Sequence, residues 1–153
     1  MINYNVAIGG TLAAVTTAIA TIVSGATRSF LLTEIDVNGQ ATASAVNEVG
    51  IYRVATAGVT GSSALTFTPT EGLASNPAFS GTGFGAYATQ PVKGALIHNF
   101  GLNANGQRYF WRCNPNLNNA IVVPGGNVAA GTITLMPISG ASVVTGRLQL
   151  AEL

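Results

Sequence analysis

The sequence predicts an all-β protein: a single antiparallel β-sandwich, jelly-roll-like, with about ten short strands. Three observations lead to this prediction. Apolar and polar residues alternate with period two, most clearly in residues 2–9. Glycine, asparagine and proline recur about every ten residues and divide the chain into strand-sized segments. No long segment shows the 3.6-residue period of an amphipathic helix.

The chain is expected to form one domain over residues 1–153. This length allows a core that folds without a disulfide or a metal, and we find no linker and no internal repeat. Turns are expected at Asn38-Gly39 and at 103–106. The predicted strands are 2–9, 18–23, 28–37, 46–56, 64–68, 94–100, 108–113, 120–123, 132–136 and 143–150.

The first predicted strand has an apolar face that begins at the second residue of the chain. The members of this face are Ile2, Tyr4, Val6 and Ile8. Chain termini stay mobile unless something ties them down. We therefore expect residues 1–9 to form an edge strand or an arm that contacts a neighbouring molecule.

The third predicted strand, 28–37, carries two carboxyl groups. Strict alternation places Glu34 and Asp36 on one face together with Phe30 and Leu32. Asp36 also begins a short stretch that resembles part of a calcium loop, but the remaining ligands of such a loop are absent. We interpret the stretch as a turn with a solvated face.

Residues 69–93 are rich in glycine and proline and are expected to form one long loop, with at most one helical turn at 70–74. The loop carries three rings, Phe79, Phe84 and Tyr87, on backbone that is costly to order. We expect these rings to anchor in a pocket of a partner protein. The alternative is that the loop folds back and covers its own sandwich.

Charged residues are scarce. They make up 7% of the chain against 48% hydrophobic residues, and the formal net charge is +1. Uncharged polar groups must then cover the surface, and little charge repulsion keeps copies apart. The composition therefore predicts a self-associating protein. Because arginine and lysine form no run, we expect no nucleic-acid interface.

One apolar run, residues 12–23, needs separate consideration. It is shorter than the about 20 residues that span a bilayer, and threonines interrupt it. No basic residue precedes it, as one would in a signal peptide. We expect a strand here, with no targeting signal and no membrane contact.

Residue types that carry most enzyme chemistry are also scarce. His98 is the only histidine and Cys113 the only cysteine, whereas a zinc site needs three or four ligands. No serine lies in a nucleophile-elbow pattern that would accompany His98 and a carboxylate. We expect His98 to be a strand histidine with one satisfied nitrogen, and Cys113 to be a small buried residue. The sequence thus predicts no catalytic residue, no metal site, no cofactor and no enzyme activity.

The densest aromatic stretch is 108–112. Alternation puts Tyr109 and Trp111 on one face, and Arg108, Phe110 and Arg112 on the other. Because aromatic residues dominate buried area in cores and interfaces, we expect core or subunit packing here. Stacking on a sugar is the alternative.

Short motifs occur along nearly the whole chain in a characteristic order. They are Tyr4-Asn5-Val6-Ala7, Ala26-Thr27-Arg28 before a strand with Glu34-Ile35, residues 53–60, Phe67-Thr68-Pro69, Asn105-Gly106-Gln107-Arg108 before the aromatic strand, Pro124-Gly125-Gly126, and residues 146–152. In this order they resemble the small capsid decoration (cement) proteins of tailed bacteriophages.

The resemblance implies a β-sandwich module, often trimeric, that docks on the outside of a capsid and stabilises the seams between capsomers. The implied partners are the major capsid protein and other copies of the chain, and the implied location is the outer capsid surface of a virion made in the host cytoplasm. The alternatives are another virion module (a capsid fibre, head–tail or tail component) and a carbohydrate-binding β-sandwich. The residues expected to make partner contacts are Ile2, Tyr4, Val6, Phe79, Phe84 and Tyr87.

Overall fold

The computed structural model describes residues 1–12, 16–56, 61, 63–70, 76–87, 89–114, 116, 118–126, 129–140 and 142–153. Strands dominate these residues, and the predicted fold class is confirmed: two antiparallel sheets form a β-sandwich. One 3₁₀ turn, Ala129–Gly131, is the only helical element within the described ranges. None of the described residues belongs to a helix long and apolar enough to cross a membrane.

Twelve strands are described. They are β1 (Ile2–Leu12), β2 (Ala20–Val23), β3 (Phe30–Gln40), β4 (Val46–Val54), β5 (Ser63–Ala64), β6 (Phe67–Pro69), β7 (Thr82–Ala86), β8 (Lys93–Asn103), β9 (Asn105–Arg112), β10 (Ile121–Val123), β11 (Thr132–Ser139) and β12 (Ser142–Glu152). The first sheet has the order β10-β3-β12-β1-β6, with β9 also beside β3, and the second has the order β5-β7-β2-β11-β4-β8.

The core lies between the two sheets, where the apolar faces of strands from both sheets meet. Burial of each large apolar side chain contributes about 1.5–3 kcal/mol. The largest side chains buried there are Tyr4, Ile22, Phe30, Leu32, Ile35, Ile51, Leu102, Ile133, Leu135 and Leu148.

β1 ties the start of the chain into the first sheet. It pairs with β12 along its whole length and with β6 over Tyr4–Val6. Its predicted inward face is confirmed, because Tyr4, Val6 and Ile8 belong to the core. Residues 1–9 form no free arm, because β1 is the second strand of its sheet, with β6 outside it over Tyr4–Val6. Contact of this strand with a neighbouring molecule stays a prediction. Chain termini are usually mobile, but pairing with β12 and β6 holds the start of this chain in place.

A bulge in β3 changes which of its residues face the core. The register shifts between Gln149 and Leu150 of β12, so that Thr33 is an extra residue without a partner opposite. The Thr33 hydroxyl donates to the Gln149 carbonyl oxygen at 3.1 Å. Strict alternation is therefore wrong along this strand, because an extra residue reverses the phase. The residues that face the core are Phe30, Leu32, Ile35 and Val37.

The turn predicted at Asn38-Gly39 is also wrong, because β3 continues through both residues to Gln40. Gly39 is buried, and a Cβ atom there would overlap the carbonyl oxygen of Ala104. The glycine therefore permits a close approach between two chain segments and does not reverse the chain.

The turn predicted at 103–106 is confirmed. The chain leaves the second sheet at Asn103 and enters the first sheet at Asn105, and the Asn103 side-chain oxygen accepts from the Asn105 N–H at 2.9 Å. Gly106 has φ of 74°, a left-handed value that favours glycine. The turn is a corner between the two sheets.

The loop predicted at 69–93 is wrong in part, because it contains β7, which pairs with β2 and β5. Glycine in this strand makes room for neighbours: a Cβ atom on Gly83 would lie 2.7 Å from the Phe67 ring. Residues 71–75, which include most of the predicted helical turn, lie outside the described residues.

Candidate functional site

The structure places three of the predicted contact residues, Tyr4, Val6 and Phe79, in the core. Tyr4 and Val6 are fully buried, and Phe79 is 8% exposed. The rings of Tyr4 and Phe79 meet edge to face with centroids 5.4 Å apart, and the Tyr4 hydroxyl donates to the Pro77 carbonyl at 2.8 Å. Ile2 is partly buried against the same core.

Phe84 and Tyr87 lie together elsewhere. Phe84 is part of β7, and the Tyr87 hydroxyl donates to its carbonyl oxygen at 2.5 Å. Tyr87 packs on a small cluster formed by Ala18, Tyr52 and Met136, and burial raises the pKa of its phenol to about 12. The described part of residues 69–93 thus folds back on the sandwich, which agrees with the alternative that this loop covers its own domain. A partner contact by the six residues stays a prediction, and most of their side-chain surface already packs within the chain.

A cluster of charged residues on the outer face of the first sheet is the candidate site. Glu34 and Asp36 come from β3, Arg108 and Arg112 from β9, and Arg147 from β12. The chain has six basic and five acidic residues, eleven in total, so five of its eleven charges lie here. We call this cluster, together with Phe110, the arginine face.

Strand pairing explains why these residues meet. β3 lies between β9 and β12 in the sheet. Glu34 is opposite Arg112 on β9, and Asp36 is opposite Arg147 on β12. On β9, Phe110 is opposite Asp36, and Arg108 is the diagonal neighbour two residues away, within reach of a long side chain. Side chains opposite one another in an antiparallel pair lie within contact distance, and opposite charges there are favourable.

Glu34 forms the buried base of the cluster. Its side chain is 1% exposed, and each carboxylate oxygen lies 2.5 Å from a guanidinium nitrogen, one of Arg112 and one of Arg147. These are charge-assisted hydrogen bonds, which are stronger than neutral ones. They fix the positions of two guanidinium groups that are themselves about half exposed.

Asp36 holds the third guanidinium. Arg108 Nε and Nη2 donate to its two carboxylate oxygens at 2.7 and 2.9 Å. This hydrogen bonding from Arg108 lowers the pKa of the Asp36 carboxyl, and Asp36 in turn raises the pKa of Arg108. Three guanidinium groups against two carboxylates leave one surplus positive charge on the face.

Phe110 projects from the middle of the arginine face. Its side chain is 48% exposed and lies between two guanidinium groups, with Arg108 Cζ 5.2 Å and Arg112 Cζ 5.9 Å from the ring centroid. Guanidinium groups at these distances are attracted to the ring. The site thus presents an apolar ring bordered by fixed N–H donors, which suits a partner surface with carboxylate or carbonyl oxygens around an apolar spot.

The opposite face of β9 points inward, as alternation predicts. Tyr109 and Trp111 are partly buried against the core, and Tyr109 stacks on Phe100 with centroids 4.2 Å apart. His98 Nε2 lies 2.8 Å from the Tyr109 hydroxyl, which confirms a strand histidine with one satisfied nitrogen. Burial lowers the pKa of His98. Cys113 is buried, as predicted.

Sequence reasoning missed the arginine face because the residues that form it lie far apart in the chain. Alternation alone put Glu34 with Asp36, and Arg108 with Arg112, but nothing local showed that the two strands are neighbours. Arg147 gave no signal at all. The described residues contain no group of three or more histidine, cysteine or carboxylate side chains placed to hold a metal.

Comparisons of the chain with protein-family models, with curated proteins and with solved structures found no match.

Proposed function

We propose that the protein is a structural virion component: a decoration (cement) protein that binds the outside of an assembled bacteriophage capsid and stabilises the seams between capsomers. Its partners are the major capsid protein and other copies of itself in a symmetric oligomer, a trimer by resemblance. The arginine face is the observation that carries the binding role, and the resemblance of the motifs supplies the capsid as the partner. No enzyme activity is proposed.

The arginine face has the properties of a docking surface. Arginine and aromatic residues are enriched among the side chains that dominate binding energy in interfaces. Glu34 and Asp36 already hold the guanidinium groups, so binding loses less side-chain freedom. The rest of the chain carries few charges, so this face gives the molecule its orientation on an oppositely charged partner.

Stabilisation follows from mass action. A subunit that binds the closed seam, and not the separated capsomers, shifts the equilibrium toward the closed seam. If copies join in an oligomer, each further contact with the shell becomes intramolecular, so modest individual contacts add to a large total.

Quantitative mass spectrometry of purified virions tests the location. We expect the chain in a fixed ratio to the major capsid protein. A few copies per virion would instead indicate a head–tail, tail or fibre component, and absence from virions would overturn the proposal. Binding on a glycan array with no capsid binding would favour the carbohydrate alternative.

An add-back assay with capsids that lack the protein tests the docking face. We expect Phe110→Ala to lower capsid occupancy at least tenfold, a loss of about 1.4 kcal/mol or more. Val122→Ala is the matched control, since Val122 is also an exposed apolar residue of the first sheet, 55% exposed, but lies outside the arginine face. Equal occupancy for both variants would exclude the arginine face as the docking surface.

A further inference from the structure

The two sides of the sandwich end in strands of very different length. On one side, β5 and β6 have two and three residues. On the other, β8 has eleven residues and β9 has eight. β8 lies at the end of its sheet, and β9 lies along an edge of the first sheet. Edge strands present unpaired N–H and C=O groups, and proteins that avoid association keep such strands short or charged.

The β8 edge lacks these protections over most of its length. Between Gly94 and Asn103 it carries no charged side chain and no proline. Its pairing with β4 is irregular near Tyr52, but regular from His98 to Asn103. Leu96 is 50% exposed beside this edge. Such a strand is a template for a further strand.

Along the regular part of the β8 edge, from His98 to Asn103, the nearest charge is opposite in sign to the surplus charge beside β9. Arg53 of β4 and Lys93 lie at the other end of this edge. The outer face of β9 has the surplus positive charge of the arginine face. β4, directly behind β8, carries Glu48, whose side chain accepts from Asn99 Nδ2 at 2.7 Å and forms no ion pair with a described residue. Lys93, at the start of β8, is directed over its own sheet, since its Nζ donates to Pro137 and lies over the Tyr52 ring. Pairing of β8 with β9 brings opposite charges together, whereas pairing of like edges brings like charges together.

We propose that copies of this chain join head to tail, with the β8 edge of one copy pairing with the β9 edge of the next. Head-to-tail contacts of this kind close into a ring if the rotation between copies permits. The contact uses the backbone at the edge of β9, and the outer face of the first sheet remains open. The inference rests on the self-association within the proposed function and names the surface that performs it.

Light scattering on purified protein tests the surface. We expect the wild type to exceed its monomer mass of 15.5 kDa. Leu96→Lys should give mainly monomer with an unchanged Tm, because a charge on the edge opposes strand addition. Val122→Lys, an equal change on another exposed strand residue, should keep the wild-type mass. A monomeric wild type, or a Leu96→Lys variant that folds and stays oligomeric, would overturn the proposal.

Cross-linking tests which strands meet and does not depend on the Leu96 variant. In a Cys113→Ala background, Ala95→Cys on β8 and Gln107→Cys on β9 supply exposed thiols. With a short bis-maleimide reagent, we expect cross-linked dimers when the two variants are mixed, and none with either alone. Cross-linking of Ala95→Cys with itself would show like-with-like pairing and overturn the proposal.

The result is separable from the location in the virion. Head-to-tail oligomers of a protein that is absent from virions would support this inference and contradict the decoration function. A protein that is monomeric but abundant in virions would contradict this inference and support the decoration function.

Discussion

The outer faces of the two sheets differ in what lies on them. On the second sheet, Tyr87 packs over Ala18, Tyr52 and Met136, all of which are buried. On the first sheet, the arginine face is open, with Phe110 half exposed among three guanidinium groups. The chain thus uses an aromatic residue of its own to cover one face and leaves the other face charged. Tyr87, a residue predicted to contact a partner, packs on its own sandwich, and the proposed function places the capsid contact on the first sheet.

Removal of the Tyr87 side chain from the outer face of the second sheet should have the largest effect on stability. Tyr87→Ala exposes the cluster around Met136, and we expect the free energy of unfolding to fall by about 2–3 kcal/mol. Thermal unfolding should show a Tm lower by roughly 5–10 °C. Capsid occupancy, measured below this Tm, should be unchanged. The opposite result, a wild-type Tm with lost occupancy, would make Tyr87 a partner contact and remove the contrast between the faces.

Loss of the buried carboxylate under the arginine face should have a smaller effect on stability and a larger one on binding. Glu34→Gln keeps the shape but removes the charge that holds Arg112 and Arg147, at an expected cost of about 1–2 kcal/mol because both guanidinium groups reach solvent. Capsid occupancy should fall as these groups lose their fixed positions. Val122→Ala, which alters an exposed side chain of the first sheet outside the arginine face and outside β8 and β9, is the control for both measurements. If it lowers capsid occupancy as much as Glu34→Gln does, the arginine face is not the docking surface.

High pH should lower the stability that Tyr87 provides on the outer face of the second sheet. Burial raises the pKa of the Tyr87 phenol from its ordinary value of 10.0 to about 12, so its neutral form is favoured in the folded state. The stability that this provides is present below pH 10 and is lost as the pH rises toward about 12. Tyr87→Phe cannot ionise, so its Tm should fall less steeply than that of the wild type over this interval. Parallel curves for the two proteins would contradict the burial of the phenol.

Low pH should weaken the Asp36–Arg108 pair of the arginine face, and this should be the smallest of the four effects on stability. The hydrogen bonds from Arg108 lower the pKa of Asp36 below the ordinary value of 3.8. The stability from this pair is present above that value and is lost as the pH falls through the lowered pKa. Because Arg108 is exposed and solvent screens the pair, we expect only a small loss of stability. Carboxyl NMR titration should show a higher Asp36 pKa in Arg108→Ala than in the wild type, and equal values would show that the pair does not persist in solution.

The fold class and the approximate positions of most strands follow from the amino-acid sequence alone. Both depend on local chemistry: alternation of apolar and polar residues makes a strand half buried, and glycine, asparagine or proline ends it. β1 is the clearest case, because the residues predicted to face inward do so without exception. The hydrogen bond of His98 and the burial of Cys113, which directly follows β9, also agree with the prediction.

Which strands are neighbours cannot be derived from local patterns, and the candidate site depends on this pairing. The arginine face joins β3 to β9 and β12. The residues of β3 in this face are more than 70 positions away in the sequence from those of β9 and β12 that they bind. The bulge at Thr33 is set by the register with β12, so no pattern within 28–37 reveals it. The glycine residues of β7 predict a loop when the sequence is considered alone. In the fold, the Phe67 ring occupies the space that a side chain on Gly83 would take, so glycine is needed within a strand. Local patterns specify whether a residue is buried in a strand. Register and pairing are settled by contacts between distant segments, and these bring the charges together on one face.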